Sequence, residues 1–321
     1  MDRRRVLFAL AGGLVAAAWL PRAWPQRSYA RAEDLYAALR EQPRQSLSIG
    51  GGTLDIVFAD GASGLDRERT LAWIRRSATA VTTYFGRFPV RRVGLLVIAE
   101  VGSRIGPGTT YGFDGSAIRL HVGRGADEQA FASDWMLVHE MTHLALPVLG
   151  EQWAWLMEGN ATYIEPIARA QAGQLAPEEV WRWSVEDMSK GQPAAGDRGL
   201  DHTHTWGRTY WGGAAFWLLA EVGIYRQSQG KHTLQEALRA INRASGGNGA
   251  DWSAGQVMEA GDKAIGMHVL SDLYAEMKDK PVQVDLDGLF RALGVDMRDG
   301  RIVFDDHAPL APLRREMTRR R

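Results

Sequence analysis

The residues that stand out for chemistry are His139, Glu140 and His143, in the stretch Val138-His139-Glu140-Met141-Thr142-His143-Leu144. On a helix, residues four apart lie on one face, one turn from each other, so both imidazoles can reach a single ion at about 2.0–2.1 Å. Glu140 is rotated about 100° around the axis from His139. It cannot easily join the same coordination sphere, but it can stand beside it and take a proton from an activated water. In a chain with 8 His, chance supplies this pattern at a frequency of only roughly 0.01. Trp135, Met136, Leu137, Leu144 and Leu146 surround the motif with apolar residues. Two His and a Glu on such a helix are costly to bury without a partner.

A catalytic zinc takes three protein ligands and keeps one position open. Glu151, Glu158 and Glu165 are the nearby candidates for the third ligand. Glu151 follows Gly150 in an expected turn and is poorly fixed. Glu158 lies in Trp153-Ala154-Trp155-Leu156-Met157-Glu158-Gly159, inside an expected helix with a bulky apolar approach. The interval after His143 lets the first helix stop at Pro147, turn, and return antiparallel with Glu158 facing the imidazoles. Glu165 is about 10 Å further along that axis and cannot share an ion with Glu158 in a straight helix. It is a candidate for supporting the ligands, or for a surface ion pair. The chain has no cysteine, so a transition-metal site must use His, Asp and Glu. Two His and a carboxylate also suit non-haem iron; the His-Glu-x-x-His helix favours Zn2+, one per chain.

At these residues the chain resembles the gluzincin zinc metallopeptidases. Their signature continues to a Glu in a Trp-x-x-Glu-Gly-x-Ala-x-Tyr helix, and here that stretch reads Trp155-Leu156-Met157-Glu158-Gly159-Asn160-Ala161-Thr162-Tyr163. Within the group it looks most like the glycyl-aminopeptidase family and its peptidase-MA-like relatives. Thr209-Tyr210-Trp211-Gly212-Gly213-Ala214 resembles the Tyr-x-x-Gly helix start of those enzymes. The resemblance implies that Tyr210 steadies the oxyanion of a tetrahedral intermediate. It further implies a thermolysin-like zincin architecture and a peptide or protein substrate, cleaved with Glu140 as general base. One departure concerns the strand before the zinc helix, where gluzincin aminopeptidases carry a Glu for the substrate's free amine. Gly106-Pro107-Gly108-Thr109-Thr110-Tyr111-Gly112 has none, and Asp114 is the nearest acid. Two other functions fit the same residues. One is a zinc-fold binding or assembly protein with narrowed or lost catalysis. The other is a zinc hydrolase acting on a non-peptide or cell-wall bond.

Further candidates for supporting the ligands or contacting substrate are Thr162, Glu165, His204 and Arg208. His202 and His204 form a His-x-His loop that could place a proton donor or second ligand near Tyr210; an exposed loop is the commoner fate. Arg208 could hold a carboxylate or oxyanion, although surface Arg is more common. His121 on an expected strand is more often structural. The 12 Trp more often fill core than line a substrate channel.

These residues need elements to hold them. Residues 31–42 are expected to form a helix, and Leu47–Ile49 with Leu54–Phe58 a hairpin across Gly50-Gly51-Gly52. Helical spacing runs from Leu65 to Tyr84, stopping near Gly86. Val93–Ala99 is a buried strand, residues 102–115 a Gly-rich loop, and Ala117–Val122 a strand near an edge, able to hold an extended peptide. Helices are then expected over Asp127–Leu146, Trp153–Ala172, Pro177–Met188, Tyr210–Tyr225, Leu234–Ile241 and Gly266–Met277. The fold class is therefore α+β: a small α/β half with a sheet, a mostly helical half, and the active-site cleft between them.

The chain has 321 residues, 45% hydrophobic and 24% charged, with formal net charge +0. That balance argues against a broad nucleic-acid surface. Arg3-Arg4-Arg5 precede an apolar run from Val6 to Leu20, the pattern of an export signal, and Asp2–Leu7 looks like a degenerate twin-arginine signal. Residues 1–30 are thus expected to be a signal or N-terminal anchor, with residues 6–20 as the tether, and the working domain periplasmic or otherwise outside the cytoplasm. Residues 31–312 are expected to form the catalytic domain. Residues 313–321 are expected to be a basic, disordered tail.

Overall fold

The computed structural model describes residues 29–321; residues 1–28 of the expected export signal, with the tether at 6–20, lie outside the described residues, whereas Tyr29 and Ala30 belong to the fold, their carbonyls accepting from Arg119. Helix α1 (Ala32–Glu41) leads into the hairpin β1 (Arg44–Ile49) and β2 (Gly52–Phe58). Helix α2 (Arg67–Phe85) follows, capped by the Asp66 carboxylate and ended by Gly86 in the left-handed conformation. Strands β3 (Arg92–Glu100), β4 (Ile105–Tyr111) and β5 (Ala117–Gly123) complete a five-stranded sheet of order β1-β2-β3-β5-β4. Pairs β2–β3 and β3–β5 are parallel, while β1–β2 and β4–β5 are antiparallel. The apolar run in β3 is buried on both faces. Leu95, Val97 and Ala99 enter the main core with Trp73, Ile74 and Leu137, while Leu96 and Ile98 pack with Leu35 and Tyr36 of α1.

Two expectations about the sheet are corrected. Residues 105–111 are a strand, not a loop, and this strand is the edge. β5 lies one place in, with β4 paired along it, so it cannot accept an extended peptide. Pro107 falls where the β4–β5 register shifts between Ile105 and Gly108. A bulge on an edge strand is where a missing N–H costs no ladder bond.

The rest is helical. The stretch expected as one helix from Asp127 is two, α3 (Glu128–Ser133) and α4 (Met136–His143), because Asp134 breaks the first and starts the second. A 3-10 turn (Glu151–Trp153) leads into α5 (Ala154–Gln171), which carries Pro166 inside it. Then come α6 (Pro177–Asp187), α7 (Gly213–Gln227), α8 (Leu234–Ser245), α9 (Ala254–Ile265), α10 (Val269–Met277) and α11 (Leu286–Leu293). The hairpin β6 (Val295–Arg298) and β7 (Arg301–Phe304) precedes α12 (Ala311–Thr318). This last helix corrects the disordered tail. Leu313 and Met317 join the main core, and the buried Arg314 guanidinium donates to the Leu293, Gly294 and Asp305 carbonyls. Among the described residues no helix is long and apolar enough to cross a membrane.

Candidate metal centre

Every residue of α4 is buried, so its polar side chains need partners inside the protein. Asp134 fixes where the helix begins, its carboxylate accepting from the Leu137 amide at 3.2 Å and from Trp73 Nε1 at 3.0 Å. Burial raises its pKa despite these bonds. From that start, His139 and His143 fall on one face with ring centroids 4.8 Å apart.

Glu158 arrives on α5, whose first turn is pinned by a half-buried polar cluster. The Asp201 carboxylate accepts from Trp153 Nε1 at 3.1 Å, Trp155 Nε1 at 2.8 Å and the Tyr274 hydroxyl at 2.7 Å. Glu158 Oε2 then lies 3.2 Å from His139 Nε2 and 3.5 Å from His143 Nε2. Ligands about 2.05 Å from one ion at the tetrahedral angle sit about 3.3 Å apart, so these spacings fit a metal between them. His139, His143 and Glu158 form a group that could hold an ion, with candidate ligand atoms within 4.8 Å of one another. Both Nδ1 atoms are buried without a hydrogen-bond partner among the described residues, while both Nε2 atoms aim at the carboxylate. Burial works to raise the Glu158 pKa, but the two imidazoles outweigh it and hold the carboxyl well below its usual range. Burial lowers the His139 pKa; at His143, Glu158 outweighs burial and raises it. A His2Glu set with one carboxylate held ionised suits zinc.

Glu140 is held from the edge strand. The Thr110 hydroxyl lies 2.7 Å from Glu140 Oε2, to which it donates, and 2.9 Å from the Glu140 carbonyl oxygen. This contact requires Gly108, where a Cβ would sit 2.6 Å from Glu140 Cγ and against Met136 Sδ. Thr110 is the residue of the candidate site that sequence reasoning missed. Its signal was the β-forming run Thr109-Thr110-Tyr111, hidden by the glycines and proline around it.

Tyr210 sits in a π-helical turn, Arg208–Gly212, directly before α7. Such bulges are frequent at functional sites. The turn reaches the centre because α5 and α7 cross at two glycines. A Cβ on Gly213 would lie 2.8 Å from Gly159 Cα, and one on Gly159 would overlap the Gly213 backbone. The Tyr210 ring lies near-parallel to His139, with centroids 6.3 Å apart. Burial and the neighbouring Glu158 carboxylate push its hydroxyl up to about 12, so it remains a proton donor.

The other candidates are placed differently. Arg208 is buried, ion-paired with Asp197 at 2.8 Å and donating to the Gly191 carbonyl at 2.6 Å. It braces the π-turn and is neither on the surface nor directed at the metal group. His204 is exposed in its loop, and His202 pairs with Asp279 at 2.7 Å. Glu165 is buried rather than on the surface, paired with Arg169 at 2.9 Å, and burial pushes its pKa up to about 7. Thr162, one turn after Glu158, faces a side cavity together with Glu165. His121 is half-buried against Glu100.

The centre opens into a cleft of about 870 Å³, lined by β4 and by Val148, Met157 and Asn248 among others. No protein-family profile matches the chain, and no curated protein matches it. Solved structures do. An aminopeptidase N family protein from Idiomarina loihiensis is similar over 80% of this chain and 50% of its own, with a TM-score of 0.59 and 15% identity. An M1 zinc metallopeptidase from Deinococcus radiodurans aligns over 76% of this chain and 52% of its own, at 16% identity and a TM-score of 0.46. The chain thus spans about half the length of these structures. With its five-stranded sheet, its paired helices α4 and α5 and the helical half behind them, the chain has an α+β fold similar to that of the aminopeptidase N family protein.

Proposed function

We propose that the chain is a zinc-dependent peptidase. The observation that carries this reading is the convergence of three ligand atoms at tetrahedral spacing with a hydrogen-bonded carboxylate, Glu140, and a protonated phenol, Tyr210, in one open cleft. His139, His143 and Glu158 would hold the ion. When bound, zinc polarises the scissile carbonyl and acidifies water to a pKa near 7. Glu140 takes the proton from the attacking water and passes it to the leaving amine. Thr110 keeps the Glu140 carboxylate turned toward the cleft. Tyr210 donates to the oxyanion, a contact of a kind typically worth about 2.7–4 kcal/mol in the transition state. We also place this domain outside the cytoplasm, on the Arg3–Leu20 pattern alone; fractionation of cells expressing the full chain tests that.

The deciding experiment measures zinc content and peptide hydrolysis for the parent and for Glu140→Gln. The parent is expected to hold one zinc and cleave a mixed peptide library. The variant is expected to keep its zinc and lose at least about a thousandfold in kcat. Zinc in both proteins with cleavage by neither would overturn the reading, as would a parent that binds no metal.

A further inference from the structure

A second cavity, of about 510 Å³, opens from the metal centre on the far side of Tyr210 and shares Trp135, His139 and Tyr210 with the main cleft. Its walls are unusual for a protein surface. Trp183 comes from α6, Trp206 from the loop before the π-turn, and Trp211 from the π-turn itself. Trp135 and Trp206 are 49% and 59% exposed. Large indoles left open to water have lost the burial that ordinarily stabilises them, and here two of them flank one opening. Trp206 stacks on Tyr210 with centroids 5.9 Å apart, and Trp135 meets the His139 ring edge-on at 5.5 Å. Both therefore stand next to the atoms that would react.

The charges in this cavity are already matched. Glu165 is paired with Arg169, and Asp187 is paired with Lys190. Lys190 Nζ in turn lies 6.0 Å from the Trp206 ring centroid. No carboxylate is left single to select a basic side chain, and no cation faces inward alone to select an acidic one. What remains to recognise a ligand is flat aromatic surface. Thr162 at the base adds a small polar contact.

We propose that this cavity is the substrate's specificity pocket, taking an aromatic side chain of the residue on one side of the cleaved bond. The proposal rests on the peptidase reading above for the identity of the substrate, and the test separates the two. The first arm measures binding rather than turnover. Glu140→Gln protein loaded with zinc is titrated with two peptide sets, identical except for Phe or Ala beside the intended cleavage position. Burying the phenyl ring is expected to tighten binding at least about tenfold. Trp206→Ala and, separately, Trp183→Ala in the same background are expected to reduce that Phe-to-Ala ratio to below about threefold. Trp183 touches neither His139 nor Tyr210 among the ring contacts, so its effect on the ratio does not pass through the catalytic groups. The second arm maps cleavage sites of the parent in a mixed peptide library, where Phe, Tyr and Trp are expected to be enriched at one position adjacent to the cut.

A Phe preference in binding with no cleavage by the parent keeps the pocket and removes the peptidase reading. Cleavage with no aromatic enrichment keeps the peptidase reading and removes the pocket. Equal affinity for the two peptide sets, no measurable binding of either, or a ratio unchanged in both Trp variants also overturns the proposal.

Discussion

Thr110 has no motif to announce it, yet it touches Glu140, the proposed general base. Its hydroxyl holds Glu140 Oε2 at 2.7 Å, and a hydrogen bond to a carboxylate is worth about 1.5–3 kcal/mol net. Thr110→Val keeps the shape and removes the donor. The expected outcome is a fall in kcat of roughly tenfold with zinc content unchanged, read by steady-state kinetics beside metal analysis. A loss of zinc in parallel would show instead that Thr110 shapes the ligand helix. The ligands were more legible than this clamp because spacing along a helix encodes a shared face, as at His139 and His143. A cross-strand or strand-to-helix contact leaves no regular interval in sequence. Arg208 shows the same limit. Its partner Asp197 and the Gly191 carbonyl became visible only when the loop before the π-turn was placed.

Among elements, α4 and α5 could be read from sequence because apolar periodicity, Pro147 and the tryptophans around Glu158 all agree. Strand β4 could not, because Gly and Pro signal loops on average and are tolerated at an edge bulge for a specific reason. The glycines there and at the α5–α7 crossing set how closely elements approach. Gly159→Ala makes this testable. In an ordinary helix interior the change would stabilise by about 1 kcal/mol through propensity. Here the new Cβ meets the Gly213 backbone, and overpacking typically costs about 1–3 kcal/mol. The clash is expected to win, lowering the melting temperature and weakening zinc binding together, since Glu158 and Tyr210 flank the crossing. Gly255 in α9 is the control. Its nearest neighbour to an added Cβ is Ser253 Oγ at 3.8 Å, so Gly255→Ala is expected to leave zinc binding intact and to hold or slightly raise stability. Equal effects of the two substitutions would refute the packing argument.

For the whole molecule, two buried carboxyls contribute to how stability changes with pH. Glu165 and Glu221 are both pushed from an ordinary 4.5 up to about 7, burial being the main cause. The folded state therefore keeps these protons until about pH 7, while the unfolded chain releases them near 4.5. Between those values the folded state binds more protons, so each group withdraws stability as pH rises through the window and adds no slope above it. The melting temperature is expected to fall between about pH 5 and 7.5. Glu221→Gln, which can still accept from the Leu234 amide that Glu221 bonds at 3.1 Å, should flatten that slope by roughly half. An unchanged slope in scanning calorimetry would rule out this role for Glu221.

The contact between α5 and α12 also has a meaning in time. Gln171, at the end of the helix that carries Glu158, donates to the Met317 carbonyl across 146 positions of sequence. A ribosome adding about 5–20 residues per second leaves that helix without its brace for roughly 7–30 s. For most of that interval His139, His143 and Glu158 have been synthesised but are supported by fewer contacts than the finished fold supplies. The centre is therefore assembled late in synthesis, although every ligand it needs is made in the first half of the chain.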